Sequence, residues 1–331
     1  MRQPANRTRR FWLAALSSAA CGFAWAQSLV EIQLSKGRFS IVAPFPPGGP
    51  VDTLSRILAE GLQKHYGQAA IVENLVGGAG NIGMDKVRRA KNDGHTLLVV
   101  PAGNLTINPS LMANFPFNID KDFAPITLLA KTPNVLVASA ASNFRNVKDV
   151  IAAAKAKPNA LSYASPGVGS GLHLAGELFK FETGIDLLHV PYKGTPPALN
   201  DVLAGVVPLM FSNLSAALAH IRSGRLVALG ITDSVRSPLA PDIPTFAEQG
   251  VPGVIVTSWY GLLAPAGTPS TVTEQLAKDA AEILAQPAAR EQLKAQSLID
   301  ATQKPAAFAA TIRQEAATWA RIIKARNITS E

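Results

Sequence analysis

The chain has 331 residues, 47% of them hydrophobic and 16% charged, with 25 glycines and 24 prolines that follow no period. That composition buries a substantial core, fits two domains or one large α/β unit, and excludes disordered, collagen-like and low-complexity chains. The formal charge is +8, and the single Cys21 excludes a disulfide framework or a cysteine-based zinc cluster.

Much of the basic balance sits at the N-terminus. Arg2, Arg7, Arg9 and Arg10 precede an apolar stretch at 11–20, too short to span a bilayer, and Ala24-Trp25-Ala26 has the small-x-small form of a cleavage site. Residues 1–26 therefore read as a secretory signal peptide, with the mature chain starting at Gln27. Without those arginines the charge falls to +4 and no cysteine remains. The excess of base is thus no nucleic-acid footprint, and the cluster Lys86, Arg88, Arg89 and Lys91 reads as a solvated helix face. Arg9-Arg10 leaves a general or a twin-arginine export route open, and Ser18-Ala19-Ala20-Cys21 leaves lipidation at Cys21 open.

Residues 39–44 read as a strand that enters the turn Phe45-Pro46-Pro47-Gly48-Gly49. A helix follows from Pro50, with Val51, Leu54, Leu58, Leu62 and Tyr66 on one face. A strand at 70–72, a glycine-rich loop at 73–80, a helix opening at Asn81 or Ile82 and a strand at 96–100 complete a βαβαβ alternation. Two apolar runs at 126–130 and 135–138 have no helix between them. The pattern then restarts with a helix marked by Val147, Val150, Ile151 and Ala154, and a strand at 161–164. The loop Ser165-Pro166-Gly167-Val168-Gly169-Ser170-Gly171 leads into a helix at 172–183. Strands at 187–190, 207–211 and 227–231 and a helix near 197–204 follow. Residues 255–264 read as one long strand, and helices are expected to fill the rest, the last lined by Phe308, Ile312, Ala316, Trp319, Ile322 and Ile323. This organisation predicts an α/β chain of two lobes, residues 28–128 plus 252–331 and residues 129–251, each a mostly parallel sheet flanked by helices.

Catalytic motifs are scarce. The run Gly167 to Gly171 departs from a dinucleotide fingerprint because Leu172 stands where the third glycine belongs; a P-loop and a G-x-S-x-G elbow are both absent. None of the five histidines forms an H-x-x-x-H pair, and no metal or cofactor is expected. The two glycine-rich loops before helices suit a simpler task. A helix N-terminus presents unpaired N–H groups and partial positive charge, and glycine lets an anion approach them. Both loops also read as ordinary tight strand-to-helix turns.

The sequence is also similar to the Bug family of substrate-binding proteins of tripartite tricarboxylate transporters. The similarity rests on blocks in order along the chain: Val42-Ala43-Pro44-Phe45-Pro46-Pro47-Gly48-Gly49-Pro50-Val51-Asp52, Tyr163-Ala164-Ser165-Pro166-Gly167, His173-Leu174-Ala175-Gly176-Glu177, His189-Val190-Pro191-Tyr192-Lys193-Gly194 and Pro265-Ala266-Gly267-Thr268-Pro269. The resemblance implies a periplasmic, two-lobed type II-like "Venus flytrap" that binds a small carboxylate and passes it to a membrane permease. By the same resemblance the ligand contacts fall at Phe45, Pro46, Gly48, Gly49, Asp52, Ser165, Gly169, Ser170 and His173, with Asn81, Asn104 and Asp201 carried over more weakly. Leu75-Val76 and Gly171-Leu172 depart from the family pattern, the second of them beside the pocket.

Other readings stay open. The same fold serves a sensor that presents its ligand to a membrane kinase, or an exported hydrolase or isomerase working through His173 or Asp52. Asp52 also reads as a first-turn acid, His173 as a cap or packing group, Tyr192 and Trp259 as packing residues, and Asp201 as a solvated helix residue.

Overall fold

The computed structural model describes residues 30–192, 194–325 and 327–328. The leader expected at 1–26, with Cys21, lies outside them. Among the described residues no helix is long and apolar enough to cross a membrane.

β1 (Phe39–Ala43) is buried along almost its whole length, as a strand covered on both faces requires. Pro46 and Pro47 end it, the chain turns at Gly48 with φ 90°, and α1 (Pro50–Tyr66) begins with proline where its missing N–H costs nothing. Val51, Leu54, Leu58, Leu62 and Tyr66 are its buried stripe and pack with Phe39 and Ile41 in one core. β2 (Ala70–Asn74), α2 (Asn81–Arg88) and β3 (Thr96–Pro101) follow, and β3, β1 and β2 lie parallel. Short helices α3 (Ala102–Thr106), α4 (Asn108–Leu111) and α5 (Ile119–Asp122) lead to β4 (Phe123–Thr132).

Only Pro133 separates β4 from β5 (Asn134–Ser139), the first strand of a second sheet. α6 (Val147–Ala156), β6 (Ser162–Ser165), α7 (Gly171–Thr183), β7 (Leu188–Pro191), α8 (Thr195–Leu203), β8 (Leu209–Asn213), α9 (Leu214–Arg222) and β9 (Leu226–Ile231) build around it. The chain then returns through β10 (Ser258–Pro265), α10 (Ser270–Ala285), α11 (Pro287–Ala295), β11 (Ile299–Asp300) and α12 (Pro305–Ala325).

The first sheet has the order β11-β4-β10-β3-β1-β2 and the second β7-β6-β8-β5-β9. Both are mixed, which corrects the expectation of mostly parallel sheets. β10 inserts antiparallel between β3 and β4, and β5 runs antiparallel to both β8 and β9. Those pairings join distant segments, so a local βα alternation carries no information about them. Three smaller differences stand beside this one. The strand expected from residue 255 starts at Ser258, α9 has only Leu214 and Ala217 buried and so little periodic signal, and β11 interrupts the helical C-terminus.

Where the chain crosses between the sheets, buried Asn134 holds the strands together. Its Nδ2 donates to Val256 O at 2.9 Å, and its Oδ1 accepts from Asn213 Nδ2 at 2.9 Å and Ser258 Oγ at 3.0 Å. α10 and α11 pack on the first sheet through Val272, Leu276, Ile283 and Leu293. α12 bridges: Phe308 and Ile312 join a core with Val42 and Trp259, whereas Trp319, Ile322 and Ile323 join a core with Leu136 of β5 and Phe179 of α7. The basic cluster on α2 is paired locally, Lys86 with Glu73 and both Arg88 and Arg89 with Asp85.

Candidate functional site

A cleft of about 880 Å³ opens between the two sheets. Phe45, Ala79 and the β3–α3 segment from Pro101 to Asn104 line it from the first sheet, and Pro166 to Gly171 line it from the second. Trp259 and Tyr260 of β10 and a polar stripe of α12 close it.

The loop after β1 is held from behind. The Gly48 N–H donates to Asp52 Oδ2 at 3.0 Å, Arg56 Nε donates to the same oxygen at 2.9 Å, and Asn74 Nδ2 donates to Asp52 Oδ1 at 3.0 Å and to Phe45 O at 3.1 Å. Burial pushes the Asp52 carboxyl up, but the bonds from Arg56, Gly48 and Asn74 outweigh it and hold the group below its ordinary value. The loop after β6 is held the same way. The Gly169 N–H donates to His173 Nδ1 at 3.2 Å, and Ser170 Oγ accepts from the His173 N–H at 3.1 Å and donates to Gly167 O at 2.8 Å. Because Nδ1 accepts, His173 is neutral, with its proton on Nε2. The His173 ring stacks on His189 at 4.0 Å, and His189 on Tyr163 at 5.0 Å. Burial first, then the Lys180 charge, brings His173 down to about 4; His189 falls to about 4 through burial and its neighbour His173. His189 Nε2 lies 2.7 Å from Ser165 Oγ, which also bonds Gly167.

Of the residues expected at the site, Phe45, Asn104, Gly169 and Ser170 line the cleft. Asn104 Nδ2 donates to Ala79 O at 2.7 Å and so fixes the first wall. Pro46, Gly48, Gly49, Asp52, Asn81, Ser165, His173 and Asp201 are not in the lining. Asp52 and His173 are brought together with their loops but serve as loop anchors. Ser165 sits behind its loop, and Asp201 accepts from Tyr192 Oη at 2.6 Å. Asn81 Oδ1 is buried without a hydrogen-bond partner among the described residues. The Gly48 and Gly169 N–H groups and the Ser170 hydroxyl are thus committed internally.

The next donors in each loop belong to the first helical turn, and of these Gly171 lines the cleft. The hydrogen-bond ladder of α1 begins with Thr53 N–H to Gly49 O, and that of α7 with Leu174 N–H to Ser170 O. Val51, Asp52, Gly171 and Leu172 therefore carry N–H groups with no acceptor inside their helices. Neither loop contains Lys or Arg. Among the described residues no group of three or more His, Cys, Asp or Glu is placed to hold a metal ion. Among the cleft-lining residues that sequence reading missed are Thr311, Glu315, Thr318 and Arg321 of α12. Their three- and four-residue spacing beside the buried stripe Phe308, Ile312 and Trp319 was the available signal.

Comparison with known proteins matches residues 54–328 to the tripartite tricarboxylate transporter family receptor profile. Protein BugT of Bordetella pertussis is 36% identical over 285 residues, 86% of this chain and 87% of that one. The periplasmic binding protein BugD superposes with TM-score 0.72 and 34% identity, covering 88% of this chain and 98% of that one. The Rpa4515 protein of R. palustris, solved with adipate, superposes with TM-score 0.76 and 32% identity, covering 89% and 99%.

Proposed function

The chain belongs to the tripartite tricarboxylate transporter receptor family, and from that premise we propose that it captures a small carboxylate in the interlobe cleft and delivers it to a membrane permease. The observation that carries the reading is the pair of glycine-containing loops from two different sheets, each opening a helix of eight residues or more beside one cleft. A buried carboxylate needs several hydrogen bonds to offset its lost hydration. First-turn N–H groups at Val51 and Asp52 on one side and Gly171 and Leu172 on the other supply them without a salt bridge. The adipate bound to Rpa4515 is a ligand of that chemical class.

In this reading residues 28–128 plus 252–331 and residues 129–251 move as two lobes. The crossings at Pro133 and at 251–257 act as the hinge, and Asn134 ties the crossings together. The leader 1–26 delivers the chain to the periplasm, where a permease takes the ligand; no observation favours a sensor kinase or a catalytic role. Ligand that binds only the folded state raises the melting temperature. The test is a thermal-shift panel of mono-, di- and tricarboxylates, amino acids, sugars and simple amines. Stabilisation by carboxylates supports the reading, and stabilisation by sugars or simple amines with none by any carboxylate overturns it.

A further inference from the structure

We propose that Glu315 determines specificity at the inner wall of the cleft, and that the preferred ligand is a carboxylate bearing an ammonium group at its far end. The inference rests on the carboxylate reading above and names the second half of the ligand.

Glu315 stands on α12 and lines the same cleft as the two loops. Trp259 Nε1 donates to both of its carboxylate oxygens, at 2.8 and 2.9 Å. Trp259 is itself locked in the core against Phe308, so the carboxylate is pinned toward the cavity. A carboxylate accepts up to about four hydrogen bonds, and among the described residues the indole is the one donor Glu315 has; it forms no ion pair. The other charged or titratable groups in the lining are Glu182 of α7, Tyr260 of β10 and Arg321 of α12, and none of them bonds it. Burial pushes Glu315 up to about 7, and the indole offsets only part of that.

The surroundings suit a cation. Trp259, Tyr260 and Trp319 line the cleft with Glu315, and aromatic faces beside a carboxylate attract an ammonium both through the ring quadrupoles and through direct charge. A second ligand carboxylate placed at Glu315 would instead meet like charge; Arg321, the one Lys or Arg among the described lining residues, makes no hydrogen bond or ion pair with Glu315. The two ends of the cleft then read opposite charges: helix N-termini take the carboxylate and Glu315 takes the amine.

The experiment is calorimetry on the chain from Gln27 onward. The probes are ω-amino carboxylates from β-alanine to 6-aminohexanoate, each beside the diacid and the plain monocarboxylate of equal length. At pH 7.5 the best ω-amino carboxylate should bind roughly tenfold or more tighter than its monocarboxylate, the size of a hydrogen bond to a charged group. Its binding should tighten from pH 6 to pH 8 and release a proton, because the ammonium favours ionised Glu315. Glu315→Gln still accepts the Trp259 N–H, and it should erase both the amine advantage and the pH dependence. A diacid preference in the native protein, or an amine advantage that survives Glu315→Gln, overturns the inference and leaves carboxylate capture standing. Failure of every carboxylate to bind overturns both.

Discussion

The loops after β1 and β6 solve one mechanical problem with two chemistries. Each turns through a glycine at positive φ, Gly48 at 90° and Gly169 at 77°, and each hands that glycine's N–H to a side chain four residues on. In the first loop the acceptor is the ionised Asp52, buttressed by Arg56 and Asn74. In the second it is neutral His173, stacked on His189. The space around them differs too: a Cβ at Gly48 meets nothing within 4 Å, whereas one at Gly169 would lie 2.5 Å from Leu111 Cδ2. The same device therefore depends on charge in one lobe and on packing and neutrality in the other. It also leaves the later first-turn N–H groups, not the glycine ones, without an acceptor inside their helices.

Substitution of the two glycines should separate the loops most. Gly169→Val combines positive-φ strain with a clash against Leu111 and should cost about 4 kcal/mol, while Gly48→Val carries strain alone, about 1–2 kcal/mol. Chemical denaturation of both variants checks this, and equal costs would dissolve the comparison. Acid should separate them next. His173 falls from 6.5 to about 4 on folding, so the unfolded chain binds the extra proton. That contribution is complete above pH 6.5 and is lost as pH drops toward 4, about 3 kcal/mol in all. The Asp52 carboxyl is also depressed, so its contribution is present above the ordinary carboxylate range and lost only at lower pH. Melting curves against pH should become shallower between 6.5 and 4 in His173→Gln, His189 supplying the remaining slope in that window, and shallower only below about 4 in Asp52→Asn. At neutral pH, Asp52→Ala strands the Gly48 N–H and the Asn74 amide and should cost about 2 kcal/mol, read by denaturation. Ser170→Ala removes a helix cap and should cost about 1 kcal/mol of stability. Its ligand affinity should change little, since that hydroxyl is committed to Gly167 and His173; a large affinity loss by calorimetry would return Ser170 to the binding surface.

The first loop was legible because its signals are local. The apolar run at Phe39–Ala43, the Pro-Pro-Gly-Gly turn and the stripe from Val51 to Tyr66 each follow from a spacing along a few residues. The role of Asp52 was not legible in full: an acid in a first helical turn reads the same whether it faces a ligand or the loop behind it. The sheet pairings escaped because β10 reaches its place between β3 and β4 from more than a hundred residues away. Glu315 escaped for a related reason. Its spacing marks a helix face, but only the packing of α12 on Trp259 turns that face toward the cleft.

The central claim is that main-chain N–H groups from both helix N-termini hold one carboxylate. A ¹⁵N amide titration with a plain monocarboxylate such as hexanoate tests it most directly. The account predicts that the Val51, Asp52, Gly171 and Leu172 resonances move together along one saturation curve, while Gly48 and Gly169 keep their bonds to Asp52 and His173. Movement confined to one loop, or saturation with all four amides unmoved, would contradict it.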